Sequence, residues 1–95
     1  MTIGELINKY KNQMRDDSYI EVLVEGDDVH VFCIVSKSNL YILQSFENVE
    51  VIKYETFFDE ELFSLGSGVS ITITQEQANQ IKQALEHEKI ALIEV

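Results

Sequence analysis

Proline and tryptophan are absent from this chain of 95 residues, and cysteine occurs once. The lone Cys33 cannot close an internal disulfide, which excludes a secreted, disulfide-stapled scaffold. No apolar run approaches the ~20 residues of a membrane-spanning helix. No low-complexity stretch or internal repeat divides the sequence. Residues 1–95 therefore read as a single domain, near the lower end of sizes that fold unaided. Hydrophobic residues make up 45% of it, enough for a core and too many for a disordered tail. The N-terminus alternates apolar and polar residues and carries Glu5 early, unlike a signal peptide, so a cytoplasmic protein is expected.

Bases are scarce as well. Seventeen acids face seven bases, a formal charge of −10. Residues 16–61 hold twelve of the acids: Asp16, Asp17, Glu21, Glu25, Asp27, Asp28, Glu47, Glu50, Glu55, Asp59, Glu60 and Glu61. Their only bases are Lys37 and Lys53, so the middle of the chain carries the whole excess and the remainder is balanced. Such a field repels nucleic acid and anionic membranes and attracts cationic surfaces. Direct nucleic-acid binding and membrane binding are not expected.

Residues 2–15 read as an amphipathic helix. Thr2 and Glu5 have the spacing of a capping box. Ile3, Leu6, Ile7, Tyr10 and Met14 fall within ~100° of one another on a helix. Strand alternation follows in Tyr19–Glu25, with Ile20, Val22 and Val24 opposed to Tyr19, Glu21, Leu23 and Glu25. Gly26-Asp27-Asp28 is a turn. Val29–Val35 is apolar on both faces, the pattern of a central strand. Leu40–Phe46 and Val49–Thr56 read as two further strands, and Phe57–Leu65 as a lid with a helical turn beginning at Asp59. Gly66-Ser67-Gly68 is a flexible connection, and Val69–Thr74 a half-buried strand. Thr74, with Gln77 in the capping-box position, starts a helix over Gln75–Glu88, and Ile90–Val95 closes the chain as a strand. The predicted order is α-β-β-β-β-β-α-β, an α+β fold with a mostly antiparallel sheet and helices on one face.

Motifs that carry catalysis are missing. Cys33 and His30 are three residues apart on one strand, so their side chains point to opposite faces and cannot pair; a buried, inert Cys33 is the ordinary outcome. His30 beside Asp27 and Asp28 lacks the further His or Cys ligands zinc requires, and Glu25–Asp28 is too short for a calcium loop. Gly66-Ser67-Gly68 lacks the lysine of a phosphate loop and the setting of a nucleophile elbow. No catalytic residue, metal site or cofactor is expected, and the chain reads as a non-enzyme.

Charge and aromatics point instead to protein binding. Tyr19, Leu23, Tyr41 and Tyr54 share a face with Glu21 and Glu25 in one register, and tyrosines interleaved with acids suit an interface. In the other reading a helix covers that face and the tyrosines are core. Same-face acids on a strand lie ~6.6 Å apart. That is near the phosphate spacing along one strand of DNA, whose duplex carries one charge per ~1.7 Å of axis. The geometry permits nucleic-acid mimicry. The candidate partner-binding residues are Glu21, Glu25, Asp27 and Asp28, followed by Asp59, Glu60 and Glu61.

The opening Met1-Thr2-Ile3-Gly4-Glu5-Leu6-Ile7, the Lys11-Asn12 that follows, the β-meander and the acidic, aromatic Tyr54–Phe63 stretch resemble the small phage-borne type II anti-CRISPR proteins. The likeness covers about two-thirds of the chain, and the Val69–Val95 tail lies outside it. It implies a phage or mobile-element protein, acting in the host cytosol, that occupies the DNA-contacting surface of a CRISPR nuclease. Two functions are thus expected as alternatives. One is an inhibitor of a basic, nucleic-acid-handling protein; the other is a small homodimeric interaction or assembly module.

Overall fold

The computed structural model describes residues 1–27, 29–58 and 67–88. Helix α1 spans Ile3–Tyr10, strand β1 Ser18–Val24 and strand β2 Cys33–Ser36. A 3₁₀ helix covers Lys37–Phe46. Strand β3 is Lys53–Thr56, β4 is Ser67–Ile73, and helix α2 is Gln75–His87. The strands form one sheet in the order β2-β1-β4-β3. β1 pairs antiparallel with β2, and β3 antiparallel with β4, while the two central strands β1 and β4 run parallel. The fold is α+β, as the sequence predicts, with two of its three strand pairings antiparallel.

Alternation decides which side of the sheet is core. Along β1, Ser18, Ile20, Val22 and Val24 are buried and the residues between them are half-buried. The parallel register places Ile20, Val22 and Val24 beside Val69, Ile71 and Ile73 of β4. The antiparallel register adds Val35 and Cys33 of β2. Ile3 and Leu6 of α1, Ile42 and Leu43 of the 3₁₀ helix, and Ala78, Ile81 and Leu85 of α2 complete the same cluster. All three helical segments therefore cover one face.

The helix termini follow local chemistry. Thr2 Oγ1 accepts from the Glu5 N–H at 3.2 Å, and the Thr2 N–H donates to Glu5 Oε1 at 3.0 Å, a complete capping box. Helix α1 is shorter than the predicted 2–15, yet Met14 still reaches the core from the turn that follows it. At α2, Thr74 Oγ1 accepts from the Gln77 N–H at 3.2 Å. The reciprocal half of that box is not formed, because Gln77 Oε1 is buried without a hydrogen-bond partner.

Four expectations need correction. Leu40–Phe46 is part of the 3₁₀ helix rather than a strand. Leu40, Leu43 and Phe46 repeat every third residue, the period of a 3₁₀ turn, whereas Gln44 interrupts the period-two pattern. Asn39 Nδ2–H donates to Ser36 Oγ at 3.0 Å, and the Ser36 and Ser38 hydroxyls bond at 3.2 Å, which turns the chain at its start. The strand within Val29–Val35 is confined to Cys33–Ser36 and lies at an edge, and Val29 is 81% exposed. The fourth predicted strand begins at Lys53; before it, Val51 N–H donates to the Met1 carbonyl and Ile52 N–H to that of Thr72. Ser67 and Gly68, expected in a flexible connection, open the central strand β4. The lid helix from Asp59 and the strand Ile90–Val95 lie outside the described residues, although Phe58 does stack on Tyr10 at 5.8 Å.

Candidate functional site

The face of the sheet turned away from the helices carries Tyr19, Glu21 and Leu23 from β1. None of these belongs to the core cluster or to the residues packed on it. Register arranges this face in rows across the strands. In one row Ile34, Glu21, Ser70 and Glu55 lie side by side on β2, β1, β4 and β3. Glu21 and Glu55 thus flank Ser70, two strand spacings or about 10 Å apart along the sheet. Ser70 Oγ donates to Glu21 Oε2 at 2.7 Å, which holds the half-buried Glu21 carboxylate in place, while Glu55 is exposed. The next row is Leu23, Thr72 and Lys53.

On the other side of the Glu21–Ser70 row, Tyr19 pairs with Gly68. The Tyr19 ring crosses the glycine to meet the Phe57 ring at 5.4 Å between centroids, at an angle of 56°. A Cβ on Gly68 would sit 1.8 Å from the Tyr19 carbonyl oxygen, so the close approach of β1 and β4 there admits only glycine. A groove of about 240 Å³ lies over the Leu23–Thr72 row, with Val29 and Val31 among its lining.

The second group of acids sits at the exit of β1. Glu25 N–H still donates to the Ile73 carbonyl at 2.8 Å, and Asp27 N–H donates to the Val24 carbonyl at 2.9 Å. Gly26, at φ 90°, makes the turn between them in a region that L side chains rarely adopt. The Asp27 carboxylate lies 3.0 Å from His30 Nδ1. That side-chain hydrogen bond is the main reason the Asp27 carboxyl titrates below its ordinary range, with a smaller contribution from the His30 N–H. Both side chains are exposed.

The predicted site residues therefore fall in two places. Glu21 lies on the sheet face, and Glu25 and Asp27 lie at its end. Asp28, Asp59, Glu60 and Glu61 are outside the described residues. Glu55, Ser70 and Thr72 join Glu21 through strand order alone; the alternation of Lys53-Tyr54-Glu55 was legible, but its neighbours were not. The tyrosines do not share one face. Tyr54 turns to the core side, with its ring 6.2 Å from that of Tyr10, and Tyr41 is 54% exposed on the 3₁₀ helix.

Cys33 is fully buried opposite Val22, and burial pushes its thiol up to about 11. Among the described residues no three His, Cys, Asp or Glu side chains converge as metal ligands. No described helix is long and apolar enough to cross a membrane. Comparisons with family models, curated proteins and solved structures returned no match to this chain.

Proposed function

We propose that this chain is a small, non-catalytic acidic protein that binds and inhibits a basic, nucleic-acid-handling protein through its surface carboxylates. The observation that supports this reading is the exposure of its acids. Asp16, Asp17, Glu25, Asp27, Glu47, Glu50 and Glu55 are all exposed. Of the two bases in the acidic segment, Lys37 directs its Nζ to the Met14 carbonyl at 3.0 Å. Among the described residues Glu25, Glu47 and Glu55 form no ion pair. Carboxylates left in solvent cost little in the free protein and become attractive to a cationic partner. The likeness to phage-borne anti-CRISPR proteins would make that partner a CRISPR nuclease.

The test is capture from a cell lysate on the immobilised protein, with elution by rising salt. The expected result is a set of basic proteins released as salt screens the contact over ~8–10 Å. Capture should be lost in a folded variant carrying Glu25→Lys, Asp27→Lys and Asp28→Lys, or Asp59→Lys, Glu60→Lys and Glu61→Lys. Equal capture by the original protein and both variants overturns the proposal. A second reading, a homodimeric assembly module, is favoured by the exposure of Tyr41 beside a groove of about 310 Å³ between α1 and the 3₁₀ helix. Light scattering that gives a dimer insensitive to salt and abolished by Tyr41→Ala would select it.

A further inference from the structure

We infer that the groove on the helix-free face of the sheet is a receptor for an arginine side chain of the basic partner. The inference rests on the binding function just proposed and adds where, and by which group, the partner is held. Three independent features of the groove converge on a guanidinium. The first is charge: Glu21 and Glu55 both line it, on either side of Ser70, against the one cation Lys53. Lys53 is itself already engaged in a polar or charged contact.

The second is an unpartnered hydroxyl on a largely buried residue. Thr72 is 4% exposed and lines the groove, its side chain alternating away from the core residues Ile71 and Ile73. Its hydroxyl makes no hydrogen bond among the described residues, unlike that of Ser70 in the neighbouring row. The hydroxyl is not among the buried polar atoms that lack a partner, so it opens to the groove, where a donor can reach it.

The third is apolar surface beside these polar groups. Leu23 forms part of the floor next to Thr72, and Val29 and Val31 line the groove as well, none of them in the core cluster. A flat guanidinium on a methylene stem matches this set. The stem covers Leu23 and Val31, while the fork of five N–H donors reaches the Glu21 carboxylate and the Thr72 hydroxyl together. A lysine ammonium offers a strongly hydrated point charge without that fork. At about 240 Å³ the groove is smaller than the usual ~300–1,000 Å³ of a small-molecule pocket, in keeping with one side chain.

The experiment titrates the full chain, isotope-labelled for NMR, with N-acetyl-arginine amide, N-acetyl-lysine amide and the neutral isostere N-acetyl-citrulline amide. The expected result is saturable arginine binding with shifts centred on Glu21, Leu23, Val31, Ser70 and Thr72, and weaker binding of the other two probes. Glu21→Gln with Glu55→Gln should weaken arginine binding about tenfold, the loss of one charge-assisted contact. Thr72→Val should also weaken it, and Glu25→Gln with Asp27→Asn should not.

Shifts spread over all the acidic loops, or equal binding of citrulline, overturn the inference. Lysate capture on the Glu21→Gln/Glu55→Gln protein separates its failure from that of the wider proposal. If capture survives there and is lost only on reversal of the loop acids, the groove is not the receptor and the binding function stands. If capture is absent even from the unsubstituted protein, the wider proposal fails whatever the amides do.

Discussion

Ser18 and Ser67 face each other at the start of the two parallel central strands, with their hydroxyl oxygens 2.7 Å apart and both residues 1% exposed. Ser18 Oγ also accepts from the Arg15 N–H at 2.7 Å, and either hydroxyl can donate in the bond between Ser18 and Ser67. This small network ties the turn after α1 to the first residue of β4, 49 positions along the chain. Ser67→Ala leaves a buried hydroxyl without its partner and should cost about 1–3 kcal/mol. Ser18→Ala removes the acceptor for Arg15 as well and should cost at least as much. In urea unfolding, the double variant should lose less than the sum of the two single losses, the sign of direct coupling.

Gly68 and Gly26 should respond differently to alanine. At Gly68 the new Cβ meets the backbone of Tyr19, which cannot move without parting β1 from β4. Gly68→Ala should therefore destabilise by more than ~3 kcal/mol and disturb the Tyr19–Phe57 ring contact. At Gly26 nothing lies within 4 Å of a Cβ, and only the positive φ opposes it. Gly26→Ala should cost about 1 kcal/mol. Chemical denaturation of the two variants checks the order.

Asp27 should titrate below its ordinary 3.8 because His30 holds the charged form. A depressed folded pKa means that the contact is fully formed above the unfolded value of 3.8 and is lost as pH falls through the lower folded value. Following the Asp27 carboxyl by NMR should show an acid-shifted midpoint. His30→Ala should return it upward, and a midpoint unchanged by the substitution would remove His30 as the cause.

Cys33 should be inert in the native protein. Its thiol is fully buried and raised to about 11 by burial, so little thiolate forms near neutral pH. A thiol reagent at pH 8 should modify the native chain slowly and the urea-unfolded chain at the rate of a free cysteine. Rapid native labelling would show that the edge strand β2 opens readily.

Much of the fold was legible because it is locally encoded. The capping box of α1 needs only Thr2 and Glu5, and the start of α2 only Thr74 and the N–H three residues on. The alternation of Ile20, Val22 and Val24 names the core face of β1 without reference to any neighbour. Leu40–Phe46 was misread because its apolar residues fit period two nearly as well as period three, and packing of Leu43 and Ile42 against the core chose between them.

The acidic surface was fixed by composition: with twelve acids and two bases in residues 16–61, no arrangement could hide the charge. The same is true of the buried thiol, set among Phe32 and Ile34 in an apolar run. What only the tertiary structure decided is adjacency. The parallel union of β1 with β4, and the pairing of β4 with β3, bring Glu21, Ser70, Thr72 and Glu55 together. No local propensity specifies these neighbours, because a strand's own pattern tells which way its side chains point and not which strand it lies beside. That choice belongs to the core on the opposite face, where Ile20, Val22 and Val24 find Val69, Ile71 and Ile73, and the groove residues are carried into place by the same register.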